Sequence, residues 1–148
     1  GLHSRNYGFS SWPILGPAKK RTALRDWRSP CPIVGSDRDH DSVLAAAKNA
    51  QHAGVVMSFK TGDVSEVSPP TDHGLLVANP PWGMRLGQNV EGVYSALGRA
   101  LDGPFRGWRA IFITPNTAHA RRVSGAVELT TFSAGGIRVG LWAVEPRG

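Results

Sequence analysis

The chain has 148 residues, of which 41% are hydrophobic, and this length and composition predict one globular domain rather than a disordered segment. Lys and Arg number 17 against 11 Asp and Glu, giving a formal net charge of +6, and no apolar run reaches the roughly 18 residues of a membrane-spanning helix. The lone cysteine, Cys31, cannot form an internal disulfide and has no partners at zinc-ligand spacing. These features exclude a membrane-spanning protein, a disulfide scaffold and a structural metal site, and they favour a reducing cytoplasm.

The positive charge is carried mainly by arginine, with 13 Arg and 4 Lys. Because arginine stacks on bases and forms paired hydrogen bonds to phosphates, this balance favours a nucleic-acid partner, with a merely solvated surface as the alternative. The first residues lack the order of a secretory signal and do not begin with Met. We therefore expect this chain to be a piece of a longer protein.

The alternation of apolar runs and helical patterns defines the predicted elements. We expect a single domain over 1–148. Its first thirty residues are rich in aromatic, Gly, Pro and basic residues and are expected to form a loop and a short helix near 18–27, which precede the sheet and helices of 31–148. The patterns then predict strand 32–36, helix 42–52 capped by Gly54, strands 55–59 and 73–78, helix 90–101, strand 108–114, helix 117–123, and strands 127–132 and 137–144 joined at Gly135-Gly136. Strand 73–78 is almost wholly apolar, so we expect both its faces to be covered. The order predicts an α/β fold with a mostly parallel sheet and a C-terminal antiparallel hairpin.

Acidic residues follow the first two predicted strands, where ligands of open α/β sheets bind. Asp37 follows the first strand, and a carboxylate there can accept both hydroxyls of a ribose. Asp63 follows the second strand, where a carboxylate can accept the exocyclic amine of an adenine. Helix capping is the simpler interpretation of Asp39 and Asp41, and turn formation remains open for Asp63. The two acids together indicate an adenosyl ligand.

The third predicted strand ends in the sequence Asn79-Pro80-Pro81-Trp82. Two consecutive prolines stiffen the backbone and leave the Pro80 carbonyl as a fixed acceptor. The exocyclic amine of a base is a poor nucleophile, since its lone pair is delocalised into the ring. Acceptance of its two hydrogens by the Asn79 oxygen and the Pro80 carbonyl would direct that lone pair at an electrophile, while Trp82 stacks on a flipped-out base. A rigid turn after a strand is the alternative interpretation.

The other polar groups form no catalytic pattern. The five histidines and Cys31 show neither a nucleophile with its base nor a set of metal ligands. Arg121 and Arg122, which follow His119, could contact phosphates, with a solvated helix face as the alternative.

The segment 79–87 resembles the Asn-Pro-Pro-Tyr-Gly-x-Arg-Leu-Gly signature of the RNA guanine-N2 methyltransferases, the RNA methylase family usually found beside a THUMP domain. Residues 33–39 are similar to that family's Gly-Ser-Asp-x-Asp turn, and residues 1–12 to its Gly-Leu-x-Arg-x-(Phe/Tyr)-Gly-Phe-x-x-Trp stretch. The resemblance spans nearly the whole chain. Its Gly-x-Arg-Leu-Gly extension separates it from DNA adenine methylases, which share only the Asn/Asp-Pro-Pro-aromatic core.

This resemblance implies the class I methyltransferase sheet, S-adenosylmethionine as cofactor and a guanine of ribosomal or transfer RNA as substrate. It implies cofactor contacts from Asp37, Arg38, Asp63, Val64 and Asn79. It implies that the target base is held by Asn79, Pro80, Pro81 and Trp82, and that Arg85 braces the loop or meets RNA. Trp82 replaces the commoner Tyr and keeps the stacking surface. Arg38 replaces an apolar residue that packs on adenine in the family.

A larger departure concerns the family's first strand and its glycine-rich cofactor loop, which this sequence lacks. That strand belongs between the strands that end at Asp37 and at Asn79, so we expect a gap in the sheet there. We further expect the 148-residue chain by itself to bind the cofactor weakly or not at all, and an RNA-binding domain to precede it in the intact protein. An adenine-N6 methylase and a non-catalytic RNA-binding remnant are the alternative functions.

Overall fold

The computed structural model describes residues 30–83 and 89–147, so the helix predicted near 18–27 and the role of Arg85 lie outside the described residues. The chain divides into two compact units, Gly1–Gly62 and Asp63–Gly148.

Unit 1 contains a strand, a helix and a second strand: β1 (Val34–Asp37), α1 (His40–Ala53) and β2 (Ser58–Thr61). The two strands pair in parallel, with Gly35 opposite Phe59. A Cβ at Gly35 would lie 2.9 Å from the Phe59 ring, so any larger residue here would have to displace that ring. Asp39 caps the start of α1, and Gly54, with φ of 68°, ends it. This is the predicted strand–helix–strand arrangement.

Unit 2 contains β3 (Leu75–Ala78), α2 (Val90–Asp102), β4 (Arg109–Thr114), α3 (Thr117–Ala120), β5 (Val127–Ala134) and β6 (Ile137–Val144). Its four strands lie in the order β3-β4-β6-β5. The β3–β4 pair is parallel, and β6 is antiparallel to both β4 and β5. The predicted C-terminal hairpin is confirmed, since Gly135 and Gly136 connect its strands with φ of 59° and 82°.

The core of unit 2 lies between α2, α3 and one face of this sheet. It is formed by buried aromatic and aliphatic side chains, among them Tyr94, Leu97, Leu101, Phe112 and Trp142. These residues recur at helical spacing on α2 and at alternate positions on the strands, which is why one face of each element is buried.

Several predicted element bounds and one burial expectation differ from the structure. Strand β2 begins at Ser58 rather than residue 55, because its first hydrogen bond to the other strand joins the Ser58 amide to the Ile33 carbonyl. The short helix ends at Ala120, since the amides of Arg122 and Val123 bond to carbonyls three residues back, a turn pattern. The expectation that both faces of β3 are covered is wrong: Leu75 and Val77 are 52% and 72% exposed.

Strand β1, which ends at Asp37, and strand β3, which precedes Asn79, belong to separate sheets and have one strand partner each among the described residues. Within residues 30–83 and 89–147, no helix has the length and apolarity needed to cross a membrane.

Candidate active site

The loop Asn79–Gly83 follows the carboxyl end of β3, at the edge of the sheet where ligands of parallel strands bind. Asn79 is exposed, whereas Pro80 is buried and Trp82 is partly buried. The prolines have no amide hydrogen to satisfy and restrict the backbone on either side of them. The loop therefore presents the Asn79 amide to solvent from an anchored, stiffened backbone.

Gly83 ends the described part of this loop and lies close to two helices of unit 2. Its φ of 82° lies in the left-handed region, which disfavours other residues. A Cβ at Gly83 would lie 3.6 Å from Val90 Cγ2 at the start of α2 and 3.9 Å from His119 Cε1 on α3. The loop therefore passes close to both helices, and its path depends on how they pack.

An aromatic layer lies in this part of unit 2. The rings of Tyr94 and His119 stack, with centroids 5.0 Å apart and planes 26° apart, and Tyr94 meets Phe112 edge to face at 6.2 Å. Burial raises the pKa of the Tyr94 phenol, and the Thr114 hydroxyl opposes that shift. Tyr94 was not among the site residues predicted from the sequence, although its position four residues after Val90 places both on one face of α2.

Two nitrogen atoms, one in the loop and one on α3 beside it, lack a hydrogen-bond partner among the described residues. Trp82 Nε1 and His119 Nδ1 are both buried, and neither bonds to another of the described residues. Buried polar groups in folded proteins are nearly always satisfied by protein, water or ligand. The loop therefore retains hydrogen-bonding capacity that a bound molecule could use, and this observation was not accessible from the sequence.

Asp37 lies at the carboxyl end of β1 in unit 1 and is exposed. Its Oδ1 accepts the Asp39 amide at 2.9 Å, which orients the carboxylate, and Oδ2 accepts nothing from the described residues. An oriented, exposed carboxylate with one free oxygen fits the ribose hydroxyls of an adenosyl cofactor. The carboxylate of Asp39 accepts hydrogen bonds from the amides of Asp41 and Ser42 and from the Ser42 hydroxyl. Asp39 is therefore a helix cap, as predicted from the sequence.

Asp63 opens a turn at the start of unit 2. Its Oδ1 accepts the Ser65 amide at 3.0 Å and the Ser65 hydroxyl at 2.7 Å, while Glu66 accepts the Asp63 amide. The turn chemistry left open by the sequence is therefore present, and the adenine contact of Asp63 stays a prediction. Val64 packs its side chain against the core of unit 2, which leaves its backbone as the part suited to a base edge.

The arginines predicted to contact RNA have different surroundings. Arg121 is exposed at the end of α3. Arg122 forms an ion pair with Glu91 of α2, so part of its guanidinium is already engaged. Arg38 is exposed beside Asp37. Contact with RNA or cofactor stays a prediction for all three.

Solved structures define the class of this fold. A crystal structure from Clostridium difficile 630, described as a possible methylase, superposes with a TM-score of 0.76 and 24% identity, covering 98% of this chain and 41% of that one. SMU.472, a methyltransferase candidate solved in complex with SAH, superposes with a TM-score of 0.73 and 24% identity, covering 99% of this chain and 41% of that one. The fold is that of the class I methyltransferases.

Sequence comparison gives the family. Residues 2–141 match the family described as RMKL-like, methyltransferase domain, and the chain belongs to this family. It is also 34% identical over 126 residues to the ribosomal RNA large subunit methyltransferase K/L of Shewanella baltica strain OS185, covering 76% of this chain. The chain spans 18% of the length of that relative. The predicted membership of an RNA methylase family is confirmed.

Proposed function

We propose that residues 1–148 form a methyltransferase domain that uses S-adenosylmethionine to methylate an exocyclic base amine of RNA, specifically guanine N2 of ribosomal or transfer RNA. The observation that carries this proposal is the exposed Asn79 amide, held by a proline-stiffened loop at the carboxyl end of β3. The family and the name of the Shewanella relative support the RNA substrate.

The bound cofactor would supply a methyl group that reacts as an electrophile. Asn79 Oδ1 and the Pro80 carbonyl would accept the two hydrogens of the base amine and aim its lone pair at that methyl group. The amine nitrogen would take up the methyl group that the cofactor supplies and would lose one proton to solvent. Trp82, packed at the end of the loop with Pro81 before it, would stack on the unpaired base and hold its plane.

The remaining contacts follow the same arrangement. Asp37 would accept the ribose hydroxyls with Arg38 beside it, Asp63 and the Val64 backbone would contact the adenine, and Arg85, Arg121 and Arg122 would bind RNA phosphates. The net charge of +6 supports an RNA-facing surface. The intact protein would carry an RNA-binding domain upstream and act in the cytoplasm.

Removal of the Asn79 side chain tests this proposal. In the intact protein that contains this domain, Asn79→Ala is expected to lower methyl transfer to unmodified RNA by at least about 100-fold, the effect typical of losing one active-site hydrogen-bonding group. Asn49→Ala removes the same amide from the exposed surface of α1 and serves as the control. Unchanged methyl transfer in Asn79→Ala would contradict the assignment.

Two alternative functions give different results. An adenine-N6 methylase would use the same loop, because the amine of adenine also has two hydrogens for Asn79 and Pro80; analysis of the methylated nucleosides distinguishes the two products. A non-catalytic RNA-binding remnant is suggested by the separate sheets of β1 and β3. Calorimetric titration with S-adenosylmethionine would then show no binding even by the intact protein.

A further inference from the structure

A polar pocket lies in unit 2, and none of the residues of the loop Asn79–Gly83 lines it. This pocket has a volume of about 230 Å³ and opens beside the carboxyl end of β4. Its walls include Thr114, Glu128, Thr131, Arg138, Gly140 and Trp142. Because drug-sized ligands occupy sites of about 300–1,000 Å³, this volume suits a group the size of a single base.

The register of β5 against β6 brings the polar residues of this pocket onto one face. Glu128 lies opposite Trp142, and Thr131 lies opposite Gly140. In a regular strand, residues three positions apart, such as Glu128 and Thr131, would face opposite sides of the sheet. A register shift between Glu128 and Thr130 inserts an extra residue and restores both to the same face. Bulges of this kind commonly re-aim side chains at functional sites.

Gly140 makes room for two polar atoms at the base of the pocket. A Cβ at this position would lie 2.6 Å from Trp142 Nε1 and 3.1 Å from Glu128 Oε2, so both atoms converge on the space that glycine leaves. Trp142 is 7% exposed, and its Nε1 has no hydrogen-bond partner among the described residues. An unsatisfied buried donor is costly, which indicates that a partner completes this group.

Two opposite charges line the same pocket without neutralising each other. Glu128 and Arg138 are both exposed, and neither forms an ion pair with any residue that the structure describes. The pocket therefore offers a carboxylate acceptor, a guanidinium donor and an indole donor within one base-sized space.

We propose that this pocket binds the base of a guanine. Guanine presents two N–H donors, N1 and N2, next to two acceptors, O6 and N7. Glu128 would accept from N1 and N2, while Arg138, with the indole of Trp142, would donate to O6 and N7. Adenine lacks the oxygen acceptor, and uracil lacks the amine.

The guanine in this pocket is a neighbour of the methylated base rather than the methylated base itself, because Glu128 would engage its N2 amine. This step rests on the proposed function. Ala78 lies opposite Phe112 in the β3–β4 pair, so Thr114 at the rim of the pocket comes level with Pro80 in the loop. The pocket and the loop thus follow neighbouring strands. One unpaired nucleotide of an RNA could bind at the loop while a neighbouring nucleotide binds in the pocket.

Binding of short single-stranded RNA tests the pocket. In the intact protein, oligonucleotides with one central guanine are expected to bind at least about tenfold more tightly than those with inosine, which lacks the N2 amine. Glu128→Gln should abolish this preference by weakening the guanine oligonucleotide more than the inosine one, because inosine has only the N1 hydrogen bond to lose. Arg138→Gln should weaken the binding of both. Asp72→Asn removes an exposed carboxylate outside the pocket and should change neither.

The Asn79→Ala variant separates this proposal from the proposed function. It should lose methyl transfer but keep the guanine preference, whereas Glu128→Gln should lose the preference. Retention of the preference in Glu128→Gln, or its absence in the unmodified protein, would overturn the pocket assignment without affecting the role of Asn79. Titration with guanosine monophosphate identifies the source: binding that depends on Glu128 indicates a free nucleotide, and binding of oligonucleotides alone indicates RNA.

Discussion

The two units place their candidate site residues on different kinds of support. Among the described residues of unit 1, Val43 is the one buried hydrophobic residue. Asp37 lies at the end of a strand in a two-stranded sheet. In unit 2, the loop Asn79–Gly83 lies beside helices and strands that share an aromatic core. The group expected to handle the reacting base thus lies in the unit whose described residues form the larger core, where packing can hold its geometry.

Loss of a core ring in unit 2 should have the largest effect. Phe112 is fully buried, and Phe112→Ala is expected to lower the free energy of unfolding by about 3–5 kcal/mol. Val43→Ala in unit 1 should cost about 1 kcal/mol, near the average for point substitutions. Urea denaturation followed by circular dichroism measures both. Equal losses would show that stability is not concentrated in unit 2.

The parts of the fold that local sequence determines were predictable. The limits of α1 follow from the capping side chain of Asp39 and from Gly54, and the final hairpin follows from Gly135-Gly136. These signals act within a few residues, so a single sequence contains them.

Contacts between distant segments were not predictable. The stacking of His119 on Tyr94 depends on how α3 packs against α2. The convergence of Glu128 and Trp142 depends on an inserted residue in β5, which no local pattern indicates. The exposure of Val77 depends on what covers the sheet, which an apolar run cannot specify. For the candidate site, the sequence identified Asn79 and its prolines but not the aromatic residues beside them.

Two glycines with left-handed backbone allow a matched comparison of the units. Gly83→Ala and Gly54→Ala should each cost about 1–2 kcal/mol of stability, since both residues have positive φ. None of the described residues lies within 4 Å of a Cβ built at Gly54, so its substitution should leave methyl transfer unchanged. Gly83→Ala should also reduce methyl transfer, because a shift of this residue moves Trp82 and Asn79. Thermal unfolding and methyl-transfer assays of the same preparations separate the two effects.

If both glycine variants retain full methyl transfer, the path of the loop near His119 does not control the position of Asn79. The aromatic layer would then stabilise the fold without positioning the base. A selective loss in Gly83→Ala would instead identify Gly83 as a positioning residue.

The smallest effect concerns the cap of α1 and depends on pH. The Ser42 hydroxyl hydrogen bond, followed by the Ser42 amide, lowers the pKa of Asp39 below its ordinary value of 3.8. A lowered pKa in the folded state means that the ionised cap stabilises α1 fully above about pH 4, and that this contribution is lost as the pH falls through the folded-state pKa. Asp39→Asn is the matched variant, because an asparagine side chain caps a helix without titrating.

The difference in thermal unfolding midpoint between the unmodified protein and Asp39→Asn should therefore be constant near neutral pH and shrink towards about pH 2. The unmodified protein should be the more stable of the two at neutral pH, because the negative charge of Asp39 also interacts favourably with the N-terminus of α1. A midpoint difference that does not change with pH would show that the charge of Asp39 contributes nothing to unit 1, and that only its hydrogen-bond geometry matters.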